Sequence, residues 1–275
     1  MIEIPEAVTL SRQLTECFAG RQITRITANI SPHKFACYYG KPEFYSEITV
    51  GKTFREARAV GGMVEAVVDD VRLLFSEGTR LRYLEPKAAV PQKRQFEVLF
   101  SDDGTLVVSV QMYGGMGAFR EGENDNPYYL VSQQKLSPLD ERFDAAYFEA
   151  LTSASGAKKL SAKGLLATEQ RIPGLGNGVL QDILYRARIH PRKKVGTLGD
   201  SDRERLFRSI KETLRDMAEN GGRDTETDLF GNPGRYVTIM SRNHVGKPCP
   251  ACGTQIRKAA YMGGSIYFCP DCQPL

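Results

Sequence analysis

Four cysteines near the end of this 275-residue chain constrain its folding more than any other feature: Cys249 and Cys252 in C-P-A-C-G-T, then Cys269 and Cys272 in F-C-P-D-C-Q. Two C-x2-C knuckles separated by sixteen residues can place four thiolates tetrahedrally around one zinc ion, with enough chain between them for a β-hairpin. Each knuckle also carries the Gly or Pro that tightens its turn. Four thiolates fill the tetrahedron, so the zinc is expected to be structural, with no open position for a water nucleophile. The other two cysteines, Cys17 and Cys37, sit in apolar patterns (Thr15-Glu16-Cys17-Phe18 and Phe35-Ala36-Cys37-Tyr38) that suit small buried hydrophobes better than a disulfide.

The length implies two domains with separate cores and an appended zinc element. No apolar run approaches a membrane span, and the Met1-Ile2-Glu3 start lacks the basic region of a secretory signal, so a cytoplasmic protein is expected. Charge is divided unevenly. Residues 1–150 hold 17 Lys/Arg against 21 Asp/Glu, whereas residues 151–275 hold 20 against 12. The basic half carries the zinc knuckles, a distribution that suits a polyanion such as nucleic acid.

A first helix is legible from Pro5, Glu6 and the apolar stripe Ala7, Leu10, Leu14, Cys17 and Phe18, which Gly20 stops. Short β-rich runs follow at 23–30, 52–60, 63–68, 71–76, 79–84, 95–100 and 105–112, separated by turn signals such as Gly61-Gly62, Glu77-Gly78 and Asp102-Asp103-Gly104. Strands at this spacing predict an antiparallel sandwich or barrel. A polar stretch from Arg120 to Pro127 and then Ser137-Pro138-Leu139 end the β pattern, and helices are predicted over 145–151, 162–169, 179–187 and 201–218. The fold class is therefore α+β and multidomain: an antiparallel β-sandwich with an N-terminal helix over 1–135, a helical domain over 136–235 and a zinc hairpin over 236–275.

Between two of those helices lies Arg171-Ile172-Pro173-Gly174-Leu175-Gly176-Asn177, followed by Gly178-Val179-Leu180-Gln181-Asp182. Glycines before a helix let the backbone approach a phosphate, and the first amides of the helix, with the Asn177 side chain, can donate to its oxygens. In many helix-turn-helix loops such glycines serve sterics alone. With its surroundings, however, the segment resembles the helix-two-turns-helix motif of the formamidopyrimidine-DNA glycosylase and endonuclease VIII family. The resemblance runs through the whole chain: the Glu3-Ile4-Pro5-Glu6 start, Ser137-Pro138-Leu139, Lys163 eleven residues before Gly174, Gly221-Gly222, and Lys247-Pro248-Cys249.

The resemblance implies a monomeric DNA-repair enzyme of the bacterial nucleoid that binds damaged double-stranded DNA. Such an enzyme flips an oxidised base out of the duplex and attacks the sugar with its N-terminal amine, forming a Schiff base. An α-amine suits this: with a pKa of about 7.8 it is roughly a tenth neutral at pH 7, against about one in 2,000 for a lysine. By the same resemblance the amine belongs to Ile2, Glu3 is the general acid/base, Glu6 supports it, and Lys163 and Asn177 contact DNA phosphate. Without it, Glu3 and Glu6 would be ordinary acids at a helix start.

The chain departs from the family pattern at several places. Ile2 stands where most members have a proline exposed by removal of the initiator, a trimming that normally needs a small second residue, so a retained Met1 would move the reactive amine by one position. Gly62 replaces a strand lysine and Gly264 the arginine of the zinc hairpin, each deleting a cation that would meet phosphate. The segment that fills the gap left by a flipped base corresponds to Met112-Tyr113-Gly114-Gly115-Met116-Gly117, where Met112 and Met116 serve either as wedges or as sandwich core. These departures support a second reading, a protein that binds damaged DNA without excising bases. The basic half and the knuckles alone would also fit an RNA-binding zinc protein.

Overall fold

Helix α1 (Ile4–Phe18) starts where the Glu6 carboxylate accepts the Glu3 N–H at 3.1 Å, with Pro5 in its first turn. Its Ala7, Leu10, Leu14 and Phe18 are buried, and Gly20 follows with φ +81°. The stripe read from the sequence is thus the face that packs. Next come β1 (Ile23–Ala28), β2 (Ala36–Tyr39), the single-turn α2 (Tyr45–Thr49), β3 (Phe54–Val60), β4 (Met63–Val68), β5 (Val71–Phe75), β6 (Thr79–Leu84), β7 (Phe96–Phe100), β8 (Thr105–Val110) and β9 (Gly114–Arg120). They form a four-stranded sheet ordered β1-β7-β8-β6 and a five-stranded sheet ordered β2-β9-β5-β4-β3. One core joins both sheets and α1, with Phe18 stacked on Phe100 at 4.0 Å and Phe54, Phe75 and Phe96 fully buried around them. Burying each such side chain contributes about 1.5–3 kcal/mol, so this aromatic cluster is a main support of the sandwich.

Two strands depart from the sequence reading. Strand β2 pairs in parallel with β9, so one edge of the otherwise antiparallel sheet is mixed, and β9 occupies most of the segment read as a gap-filling loop. Its glycines disguise it, since Gly is a poor strand former. They are required by crowding: a Cβ at Gly115 would stand 2.4 Å from the Tyr39 hydroxyl, and one at Gly117 2.3 Å from the Tyr39 carbonyl oxygen. The two methionines therefore divide, with Met116 fully buried in the core and Met112 62% exposed beside an exposed Tyr113. Cys17 packs partly against the core, but Cys37, expected to be buried, lies exposed on the β2 edge strand.

The structure, a computed structural model, describes all 275 residues, in two compact units: Met1–Gln133 with Asn220–Tyr236, and Gln134–Glu219 with Val237–Leu275. Residues 220–235, which the sequence reading grouped with the helices, return with Tyr236 to the sandwich. There Leu229 enters the core, its N–H donates to Gln13 Oε1 at 3.0 Å and its carbonyl accepts from Tyr83 N–H at 2.9 Å. After α3 (Pro127–Gln134), the second unit contains α4 (Ala145–Ser153), α5 (Ala162–Ala167), α6 (Val179–Arg186), α7 (Asp200–Glu219) and a hairpin of β10 (Arg257–Tyr261) and β11 (Gly264–Phe268). Asp144 and Ser161 cap α4 and α5 by accepting backbone N–H groups. No helix is long and apolar enough to cross a membrane.

The turn before β6 is fixed by one close approach. Gly78 has φ +80°, and a Cβ there would lie 1.5 Å from the Tyr113 carbonyl oxygen, whereas Gly122 has φ +82° with nothing within 4 Å. Gly122→Ala should cost about 1–2 kcal/mol, the left-handed backbone penalty alone. Gly78→Ala should cost at least about 3 kcal/mol because the Tyr113 backbone must also move. Equal shifts in urea midpoint for the two variants would contradict this.

Candidate active site and metal centre

The start of the chain is held by a buried charge cluster in the first unit. The Gly221-Gly222 turn, at φ +71° and +94°, brings the backbone of Arg223 against α1, and a Cβ on Gly222 would stand 3.3 Å from Glu6 Oε1. That oxygen accepts the Arg223 N–H at 3.1 Å and its Nε at 3.0 Å, while Glu6 Oε2 accepts Nη2 at 2.8 Å. The same guanidinium reaches Glu3 Oε1 through Nη1 at 3.5 Å and the Met1 carbonyl through Nη2 at 3.3 Å. All three side chains are buried. Burial alone would push the Glu6 carboxyl up, but the charge and hydrogen bonds of Arg223 outweigh it and hold Glu6 below the ordinary carboxylate range. Burial likewise opposes the charge on Arg223, yet Glu3 and Glu6 push its pKa up further, so the guanidinium is permanently cationic.

The α-amine of Met1 pairs with Glu226, from the same returning segment as Arg223. The Ile2 side chain points the other way, into the sandwich core, at 4% exposure. Beside these groups lies a pocket whose lining includes Met1, Ile2, Glu6, Gly78, Gln111 and Glu226. The turn before β6 adds Glu77, whose carboxyl is pushed up by burial and then by the facing Glu3 carboxylate, with the amino terminus opposing. The Tyr113 hydroxyl is pushed up by burial and then by the nearby Glu77 and Glu3. The structure therefore gathers Ile2, Glu3 and Glu6 and adds Arg223, Glu226, Glu77 and Tyr113. Tyr113 lay in the segment read as gap-filling, Glu77 in a turn signal and Arg223 directly after the Gly221-Gly222 pair, but none of these additions was read as a site residue.

In the second unit Lys163 and Asn177 meet at the hairpin. Lys163, on α5, donates to the Tyr261 carbonyl at 2.8 Å and is 4% exposed; burial pushes its pKa down. Asn177 Nδ2 donates to the Ser265 carbonyl at 3.1 Å. Between them stands Gly264, where a Cβ would be 3.4 Å from Lys163 Nζ and 3.6 Å from Asn177 Nδ2. Gln181 completes the join, accepting the Tyr267 N–H at 3.0 Å. Gly62 instead lies in the two-residue turn between β3 and β4, where Gly61 has the positive φ such a hairpin turn requires.

The four knuckle cysteines converge with all four Sγ atoms within 4.8 Å of one another, forming a zinc-finger-like metal site. Cys249 Sγ lies 3.8 Å from that of Cys272, and Cys252 Sγ lies 3.4 Å from that of Cys269. Beyond the thiolates, the Tyr185 hydroxyl of α6 is 3.3 Å from Cys249 Sγ, and the buried Asp182 carboxylate accepts the N–H groups of Ile239 and Met240. Thus α6 fastens both the metal site and the chain leading to it.

A sandwich with the chain's start held at a carboxylate cluster, joined in sequence to a helix-two-turns-helix unit with a four-cysteine hairpin, defines a class of DNA-repair glycosylase folds. Residues 136–228 match the formamidopyrimidine-DNA glycosylase H2TH domain model. The chain is 29% identical to formamidopyrimidine-DNA glycosylase of Symbiobacterium thermophilum, across 100% of this chain and 90% of that one, and 28% identical to that of Bacillus subtilis, across 99% of each. The structure of Lactococcus lactis Fpg in complex with DNA containing an abasic site is similar at a TM-score of 0.82, with 25% identity over 99% of this chain and 100% of that one. The chain has the fold of the formamidopyrimidine-DNA glycosylases and carries their H2TH domain.

Because Cys249 is buried, contacts Tyr185 and supplies one of four thiolates, Cys249→Ser should release bound metal and speed amide exchange at Ala259 and Ile266 in the hairpin. Tyr185→Phe should retain the metal. Unchanged metal content in Cys249→Ser, measured by plasma mass spectrometry, would refute the assignment.

Proposed function

We propose that the chain excises oxidised bases from duplex DNA and cleaves at the resulting abasic site through a Schiff base on its amino-terminal amine. Glu3 is the proton shuttle, Glu6 its support, and the amine is that of Ile2 if Met1 is removed. The observation that carries this reading is the buried cluster that holds the start of the chain beside Glu3, Glu6 and Arg223. In the reaction the amine must lose its proton and bond the sugar's anomeric carbon while a nearby carboxylate handles protons on the base and the opened sugar. A relative solved on abasic-site DNA and another Lactococcus lactis Fpg structure on DNA with an N7-benzyl-Fapy-dG lesion support damaged duplex DNA as the ligand.

The metal is proposed to be zinc. Four thiolates about 2.3 Å from a tetrahedral zinc stand about 3.8 Å apart, close to the spacing of these sulfur pairs. Zinc there would supply folding energy to the hairpin and no open position for chemistry. Lys163 and Asn177 are proposed to grip DNA phosphate beside that hairpin.

A second reading, damaged-DNA binding without excision, is favoured by the packed Ile2 side chain and by the missing cations at Gly62 and Gly264. Borohydride reduction on duplexes with an abasic site or an oxidised base separates the two, read together with the intact mass of the N-terminus. A covalent adduct on the N-terminal peptide is expected; tight, damage-selective binding with no adduct would leave the binding protein. Lys163→Ala should flatten the salt dependence of duplex binding by about one unit of logarithmic slope. An unmoved slope would show that Lys163 serves the hairpin alone.

A further inference from the structure

The element of the cluster that the resemblance does not assign is Arg223, which ties together Glu3, Glu6 and the carbonyl of the first residue. Its Nε and Nη2 grip Glu6, Nη1 reaches Glu3 at 3.5 Å, and Nη2 also reaches the carbonyl of Met1 at 3.3 Å. Glu6 in turn accepts the Glu3 backbone N–H. A helix cap would need only Glu6, and a buried Arg–Glu pair is weak evidence of stabilisation, since desolvating two charges costs about what their attraction returns. A planar fork of five donors fits a different task, which is to hold several acceptors at fixed mutual positions.

We propose that Arg223 is a positioning residue: its guanidinium sets the Glu3 and Glu6 carboxylates relative to the first residue of the chain. This rests on the glycosylase reading above only for its catalytic consequence. The cation supplied at the start of the chain thus comes from the segment that returns to the sandwich, in a protein with glycine at the two family cation positions Gly62 and Gly264. Lysine would preserve the charge but not the geometry, because its donors radiate from one atom and cannot span Glu6, Glu3 and the carbonyl together.

Two readouts on the full-length, metal-loaded protein test this. The first needs no activity: amide hydrogen exchange followed by NMR. In Arg223→Lys, exchange at the Glu3 amide should quicken at least about tenfold as Glu6 loses its fixed partner, while Leu10 and Leu14 amides in α1 stay as slow as in wild type. The second is the split between chemistry and binding: the rate of borohydride-trapped adduct on an abasic duplex should fall at least about thirtyfold, with affinity for a tetrahydrofuran-containing duplex within about threefold. If Arg223→Lys loses protection throughout α1, the double variant Glu6→Gln, Arg223→Gln, which removes the buried charges together, is measured in the same two ways. Unchanged Glu3 exchange overturns the proposal whatever the trapping shows, and so does faster exchange with an unaltered trapping rate. Faster Glu3 exchange in a protein whose wild type traps no adduct leaves Arg223 as the positioning residue and removes the glycosylase reading instead.

Discussion

A single buried guanidinium fixes the start of this chain. Arg223 arrives more than two hundred residues after Glu3 and Glu6, yet it contacts both carboxylates and the Met1 carbonyl. Its burial is tolerable only because the neighbouring oxygens replace the water it gives up. The same contacts make the cluster intolerant of partial loss, since removing one partner leaves a buried charge unpaired. The cluster also has a useful electrostatic form: Glu3, Glu6 and Glu226 face Arg223 and the terminal ammonium. A proton passed from that ammonium to one of those carboxylates leaves the net charge of the group unchanged, so no charge need be created in a poorly solvated place.

The carboxyls around the pocket are driven in opposite directions. Glu6 is held low by Arg223, while burial and the facing Glu3 push Glu77 up. Groups whose environments separate their protonation equilibria in this way are suited to divided acid and base roles. Glu77 can take such a part because its turn is rigid. The Gly78 backbone packs directly on Tyr113, and the Gly115 N–H donates to Ser76 Oγ at 2.9 Å, which locks the turn to β9.

The parts of this architecture that were legible in the sequence are those encoded locally. The cysteine spacing, the apolar stripe of α1 and the strands β1 and β3 to β8 each announce themselves within a few residues, whereas the four-residue edge strand β2 does not. Strand β9 was hidden because its glycines answer to Tyr39 and Tyr45 rather than to any local turn preference. Arg223 and Glu226 were hidden for a related reason. Nothing near them in sequence distinguishes a buried anchor from a solvated charge, and only the return of residues 220–236 to the sandwich gives them their partners. Gly222 shows both sides of this: its presence was noticed, but its reason is a carboxylate on α1 that needs the backbone within reach.

In the second unit the glycine at position 264, where the sequence resemblance implies an arginine, packs between Lys163 and Asn177. Gly264 removes the side chain that would otherwise stand over Lys163 Nζ and Asn177 Nδ2, and the backbone there draws close enough for Lys163 to bond the Tyr261 carbonyl and Asn177 the Ser265 carbonyl. A Cβ at Gly264 would stand in ordinary van der Waals contact with both groups, 3.4 Å from Lys163 Nζ and 3.6 Å from Asn177 Nδ2, while a basic side chain there would set a second positive charge near a lysine whose protonation burial already disfavours. This packing is tied to the metal site, because the strand that carries Gly264 and Ser265 ends at Phe268, next to Cys269: whatever loosens the thiolate cage also loosens the carbonyls that hold Lys163 and Asn177 in place.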